Sequence, residues 1–393
     1  MSQLHNTRPN PPTVEELLRR LVAIPSVNPG SANPSGPPYG EGEMVTYLAE
    51  LLRPWAESVE IREVLPGRPN LLARFRGQSA HRSFAFEAHT DTVDVAGMTL
   101  SAFEPEIRAG KLYGRGACDD KGPMVAMILA ILRHLDEGHL LPCDWWFLAL
   151  CDEELGGKGA AHLVANGFRC DGIVVAEPTE NQPLVAHKGA VRHTLRVRGR
   201  AGHSAYPEQG VNAIQAAADW LVRLEGVVAK THPSSPRADL DKALTFSPGT
   251  IKGGDQVNRI PDMAEIQTDW RIPSGFKREQ IDAMIQRTAA EVETARPGCE
   301  CEWEKNQDYP PFAYRENGYF AKVVEQLHDP SSRPQTARYT TNAGFYTEAN
   351  IPALVFGPGS IAQAHRADEW IELAQIEQAI TKLRSMLVLP LDH

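Results

Sequence analysis

The stretch "DWWFLALCDEELGG", Asp144 to Gly157, passes from an unbroken apolar run directly into three adjacent carboxylates. An apolar run of this length without alternation is the pattern of a strand covered on both faces. Side-by-side carboxylates repel, and each is hydrated best alone in water. A cation held at the strand end would make that crowding useful; a solvated turn is the plain alternative.

Three further runs repeat the design. "SFAFEA" (83–88) leads into "HTD", "GIVVA" (172–176) into "EPT", and "ALVFG" (353–357) into "PGS", with "AHRADEW" (364–370) shortly after. Between the first two apolar runs, "KGPMVAMILAILRHLDEG" (121–138) predicts an amphipathic helix closing on Gly138. Upstream, "TVEELLRRLVAI" predicts a helix capped by Thr13 with Glu16 three residues on and ended by Pro25, followed by a Pro- and Gly-rich loop over 25–43 and a second helix from Glu43 to Trp55. "SVEIREV" and "NLLARFRG" read as strands. Strands alternating with helices indicate an α/β architecture, whose sites gather at the carboxyl ends of the strands.

From His187 to about residue 306 the texture changes. "AVRHTLRVRG" and "AEIQTDWRI" alternate apolar with polar, as half-exposed antiparallel strands do, and "GVNAIQAAADWLVRLEGVV" and "REQIDAMIQRTAAEVE" read as helices covering one face. The expected organisation is a first segment, 1–186, an inserted α+β domain, 187–306, and a return to the first domain over 307–393.

Composition excludes several classes. The chain has 393 residues, 42% of them hydrophobic, and a formal net charge of −10, which disfavours nucleic acid and anionic membrane as partners. The start, "MSQLHNTRPNPP", has no apolar segment of the secretory type, and the longest apolar run, "MVAMILAIL", is far short of the ~18 residues of a membrane span. A cytoplasmic protein with no membrane partner is the expectation. Six cysteines without framework spacing are expected to be reduced, and the Cys299-x-Cys301 pair is half a zinc site at most.

The chemistry-bearing residues sit where the apolar runs stop. His89 and Asp91 share one side of an extended chain, so Asp91 can ligate beside His89 or orient its imidazole. "YGRGACDDKG" places Asp119 and Asp120 before the long helix, where acids also suit a helix start; it lacks the spacing of a phosphate loop. Glu153, Glu154, Glu177 and His365 complete a set of histidine and carboxylate groups, the ligand chemistry of zinc or a similar divalent ion.

In order along the chain, "HTDTV", "GRGACDDKG", "DEELGG", "AEPT", "GHSAYPEQGVNAI", "GDQVNRIPDMAEIQTDWRIPSG" and "AHRADEW" resemble the zinc-dependent deacylases and exopeptidases that include acetylornithine deacetylase, succinyl-diaminopimelate desuccinylase, carboxypeptidase G and aminoacylase. The resemblance implies a mixed, largely parallel central sheet flanked by helices, zinc exopeptidase-like, with a ferredoxin-like insertion serving as lid and dimerisation domain. It implies two zinc ions, with cobalt or manganese able to substitute: one held by His89 and Glu177, the other by Glu154 and His365, with Asp119 bridging. Asp91 would orient His89, and Glu153 would be the general acid/base. In the insertion, His203 would reach the partner subunit's site in a homodimer and support the oxyanion. Asn258 and Arg271 would bind substrate, and Gly357 and Gly359 would offer backbone donors. Asn342 and Gly344 depart from the Asp and Arg of many relatives, which bears on specificity.

The implied activity is hydrolysis of N-acyl-L-amino acids, acetylornithine deacetylase-like. Succinyl-diaminopimelate desuccinylase, or a carboxypeptidase or dipeptidase acting on short peptides, is the alternative within the same chemistry. A non-catalytic zinc or amino-acid binding protein is the alternative from another class, and Glu153 separates the two, since a binding module needs no general base.

Overall fold

A Thr13 capping box starts the first helix: Thr13 Oγ1 accepts from the Glu16 amide, and the Glu16 carboxylate accepts from the Thr13 amide. In this computed structural model, which describes residues 8–30, 34, 36–231, 243–315, 318–327 and 335–388, that helix is Val14–Ala23. Residues 1–7 of the N-terminal stretch, and 31–33 and 35 of the Pro- and Gly-rich loop, lie outside the described residues. The second helix is Gly42–Leu52. The chain divides into two compact units, one comprising 1–185, 313–336 and 341–393, the other 186–312 and 337–340.

In the first unit the apolar runs become neighbours in one sheet, in the order Ser58–Leu65, Arg68–Phe75, Cys143–Leu150, Ser79–His89, Gly172–Val175, Ala353–Val355. The last four are mutually parallel, while the first two pair antiparallel at the edge and Leu184 pairs antiparallel with Val355. Phe86, Phe147, Val174 and Leu354 are buried, as expected of central strands with both faces covered.

Helix Gly122–Asp136 departs from the amphipathic expectation. It is buried nearly all round, from Gly122 through Leu132, because it packs against helices Val14–Ala23 and Leu373–Leu387 as well as the sheet. It does close at Gly138, which has a φ of 80°. Among the described residues no helix is long and apolar enough to cross a membrane.

The second unit is a four-stranded antiparallel sheet in the order Thr245–Gly253, Met263–Ile272, Gly189–Arg198, Glu300–Tyr309. The alternating pattern of Met263–Ile272 buries Ala264, Ile266, Thr268, Trp270 and Ile272 beneath helices Ala213–Thr231 and Glu279–Ala295, whose Trp220, Leu224, Ile281 and Ile285 complete the core. The expected boundary at 306 falls inside the strand Glu300–Tyr309, and the compact unit runs on to Phe312. This strand is polar at most positions because it is an edge with one exposed face, so its apolar signal is weak.

Candidate metal centre and its surroundings

Every polar group that follows an apolar run lies at the carboxyl end of a parallel strand. His89 is the last residue of its strand, Asp152 to Glu154 follow Leu150, Glu177 follows Val175, and Gly357 follows Val355. Parallel strands bring their carboxyl ends to one edge of the sheet, which gathers groups separated by up to hundreds of residues in sequence.

The arrangement centres on Asp119. Its Oδ1 lies 3.0 Å from His89 Nε2 and its Oδ2 lies 3.5 Å from His365 Nε2. His365 Nε2 is also 2.8 Å from Glu154 Oε2. Ligand atoms of His89, Asp119 and Glu154 lie within 4.8 Å of one another, and so do those of His89, Glu153 and Glu177. The structure thus brings together all six of His89, Asp119, Glu153, Glu154, Glu177 and His365.

The donor set fits a divalent cation. His89 Nδ1 lies 2.9 Å from the carbonyl oxygen of Asp91 and its Nε2 stands 3.0 Å from Asp119 Oδ1; burial is outweighed by the Asp119 and Asp91 carboxylates, which hold the imidazole well above its ordinary value. An imidazole nitrogen and a carboxylate oxygen this close share either a proton or a cation. The buried Glu154 Oε1 has no hydrogen-bond partner. Burial, together with repulsion from neighbouring carboxylates, pushes Glu153 and Glu177 well above the carboxylate range, and burial with Asp119 repulsion raises Glu154 to about 7. The hydrogen bond to Glu154 raises His365 to about 9. Carboxylates crowded out of water in this way are stabilised by a bound cation, and nitrogen and oxygen donors suit zinc and similar ions.

Asp91 stands beside His89 and takes on a further task. Its Oδ1 is 3.6 Å from His89 Nδ1, and its main-chain carbonyl is 2.9 Å from the same nitrogen, so both acceptors face the ring. The carboxylate also accepts from the amides of Glu153 at 2.9 Å and Glu154 at 3.0 Å. It therefore orients the two glutamates.

Asp152 belongs to the turn. It adopts a φ of 67°, and its carbonyl accepts from Gly156 and Gly157. Its Oδ1 accepts from Arg68 Nη1 at 2.9 Å and Asn28 Nδ2 at 3.1 Å, and Arg68 also pairs with buried Glu41 at 2.6 Å. Asn28 reaches Asp91 as well, at 2.7 Å. Asn28, Glu41 and Arg68 are supporting residues that the sequence did not disclose; they lie in no apolar run and far from the motifs they brace.

The Gly357 amide donates to Thr179 Oγ1 at 3.0 Å, and that of Gly359 to Gln375 Oε1 at 2.8 Å, so in this structure both of the expected backbone donors are engaged within the fold. The role of these glycines is close approach: a Cβ on Gly357 would meet the Glu177 carbonyl at 2.5 Å, and one on Gly359 would meet Cys118 Sγ at 2.6 Å. Asn342 is likewise buried, donating to Glu87 Oε1 at 3.0 Å, so it serves the interior.

The second unit places His203 and Asn258 side by side: Gly202–His203 pairs with Arg259–Ile260, and the Ser204 amide donates to the Asn258 carbonyl at 3.1 Å. His203 Nδ1 accepts from the Ala205 amide at 3.0 Å, which puts the proton of the neutral ring on Nε2. Arg271, near the end of Met263–Ile272, donates from Nε to Asp269 Oδ1 at 2.7 Å. Cys299 and Cys301 Sγ are 4.0 Å apart, and no metal-capable group of three among the described residues includes them. All six cysteines are free thiols.

Comparison with known proteins agrees with this geometry. The description "Peptidase family M20/M25/M40" matches residues 85–388. An acetylornithine deacetylase of Proteus mirabilis is 35% identical over 373 residues, covering 93% of this chain and 94% of its own. A tripeptidase from Staphylococcus aureus superposes with a TM-score of 0.75 at 18% identity, covering 98% of each chain. A metallo-carboxypeptidase from Sulfolobus solfataricus does so at 0.76 and 17%, over 96% of this chain and 99% of its own. A dinuclear metal binding peptidase from Bacillus subtilis gives 0.65 and 16%, over 95% and 96%. These three structures share the fold.

Proposed function

We propose a reaction for this protein on the premise that the chain belongs to peptidase family M20/M25/M40, as the match over residues 85–388 shows. It is a metal-dependent hydrolase of amide or peptide bonds. The substrate we infer is an N-acyl-L-amino acid, cleaved to a carboxylic acid and a free amino acid. The 35% identity to an acetylornithine deacetylase across nearly the whole of both chains supports that class over a longer peptide.

The observation that carries the reading is Asp119, whose two carboxylate oxygens face two histidines from distant segments. His89 and Glu177 would hold one divalent cation and Glu154 and His365 a second, with Asp119 shared and zinc the proposed metal. When bound there, divalent cations would supply a water of lowered pKa, toward ~7, and Lewis acidity at an amide carbonyl. Glu153, its backbone fixed by Asp91, takes the proton of the attacking water and returns it to the departing nitrogen, so that an amine rather than an amide anion leaves. His203, with its proton on Nε2, is a donor for the developing oxyanion, supplied from the partner in a homodimer. Asp269 holds the Nε edge of Arg271, which orients the guanidinium to receive the substrate carboxylate.

The test is release of free amine from a panel of N-acetyl, N-succinyl and dipeptide substrates, with added zinc and with a chelated control. Chelator-sensitive release from the N-acetyl amino acids is expected. Release from dipeptides alone would replace the deacylase reading with a dipeptidase, and release unaffected by chelation would overturn the metal mechanism.

A further inference from the structure

Four residues beyond His365, Glu369 lies fully buried with both carboxylate oxygens saturated. Oε1 accepts from the amides of Cys118 at 2.7 Å and Asp119 at 2.9 Å. Oε2 accepts from Arg115 Nη1 at 2.8 Å and the Gly116 amide at 3.0 Å. The Gly114 amide donates to the Glu369 carbonyl at 3.0 Å. Convergent backbone amides of this kind form an anion nest, made possible here by Gly116 in the left-handed region at φ 79°. The nest is filled by the chain's own carboxylate.

The segment that supplies this carboxylate is held under constraint. His365 has a φ of 59°, which a non-glycine residue adopts at a cost, and its imidazole is 56% exposed, so burial does not hold the ring in place. What fixes the segment lies after it: Asp368 Oδ1 accepts from the amides of Thr99 and Leu100, both at 2.9 Å, and Glu369 enters the nest. Only the second anchor also grips the residue that faces His365, because the Asp119 amide is one of its four donors.

We infer that Glu369 is a positioning residue that sets the spacing between Asp119 and His365. The inference rests on the metal reading above, in which those two residues meet the same cation. Its chemistry asks for a carboxylate. Four donors converge on two oxygens, and an amide of the same shape would turn its own N–H2 group toward donors. Supporting groups that orient metal ligands are worth about 10–100-fold in metal affinity.

The test is a zinc titration of the chelator-stripped full-length protein against a chromophoric chelator, for wild type, Glu369→Gln and Leu383→Ala. Leu383 is a buried residue of helix Leu373–Leu387, and its truncation lowers the stability of the same unit by a route that does not touch the nest. The expected result is a 10–100-fold weaker zinc affinity in Glu369→Gln with a folded circular dichroism spectrum, and wild-type affinity in Leu383→Ala. Wild-type affinity in Glu369→Gln, with only a lower melting temperature, would overturn the inference and leave the metal reading standing. No zinc uptake by wild type would instead overturn the metal reading itself. If Glu369→Gln does not fold, Glu369→Asp, which keeps the charge and retracts it, is titrated in its place with a smaller loss expected. Failure of both to fold would make Glu369 a folding residue and overturn the positioning role.

Discussion

Arg68 in the first unit and Arg196 in the second each hold two carboxylates, at similar distances, in opposite surroundings. Arg68 has a side chain 7% exposed and bonds Glu41 at 2.6 Å and Asp152 at 2.9 Å. Arg196 has a side chain 39% exposed and bonds Glu265 at 3.0 Å and Glu304 at 2.8 Å across neighbouring strands. The exposed cluster exchanges water for a partner at little net gain, while the buried one cannot lose a member without stranding charge. Buried charge braces the site: Asp152 adjoins Glu153 and Glu154, and Arg68 fixes the turn that presents them.

The largest effect is expected at Glu153, the carboxylate of the first unit assigned to proton transfer. Glu153→Gln is expected to lower turnover by at least about 10²–10⁴-fold while zinc content stays at the wild-type level. Wild-type turnover in a zinc-loaded variant would contradict the assignment.

Next in size is the arginine pair itself. Arg68→Met should cost about 3–5 kcal/mol of unfolding free energy by leaving Glu41 and Asp152 buried without their cation. Arg196→Met should cost about 0–1 kcal/mol. Urea denaturation of the two variants checks this, and equal losses would erase the distinction between the units.

A smaller effect is expected in the second unit, where His187 is among the buried titratable groups. His187 packs 5.2 Å from Phe312 and donates from Nδ1 to the Lys188 carbonyl, and burial pushes it down to about 4. The unfolded chain takes up a proton below about 6.5 whereas the folded one resists it, so this contribution is full above that pH and is lost as pH falls toward 4. Between pH 7 and pH 5 the wild type should lose roughly 2 kcal/mol more than His187→Phe. Parallel stability profiles for the two proteins would show that His187 is protonated without penalty.

The strand ends were legible because a continuous apolar run stops abruptly where polar groups begin, as after Cys151 and Ala176. The same signal located His89, Glu153, Glu154 and Glu177. It could not tell that Asp91 presents both its carbonyl and its carboxylate to His89, since the two read alike in sequence. Nor could it show that the Gly357 and Gly359 amides are already spent on Thr179 and Gln375, partners 178 and 16 residues away. Helix Gly122–Asp136 read as amphipathic because Arg133, His134 and Asp136 close it with polar groups, whereas its burial comes from two helices at opposite ends of the chain. Asn28, Glu41 and Arg68 carry no local pattern at all; only the fold brings them to Asp91 and Asp152.

The central claim is that Asp119 is shared between two cations at the carboxyl edge of the sheet. Its most direct test is the metal content of wild type and Asp119→Asn after equilibration with zinc and removal of the excess. The account predicts two zinc ions per chain in wild type and loss of at least one in Asp119→Asn, with the circular dichroism spectrum unchanged. Two tightly held zinc ions in Asp119→Asn would contradict it.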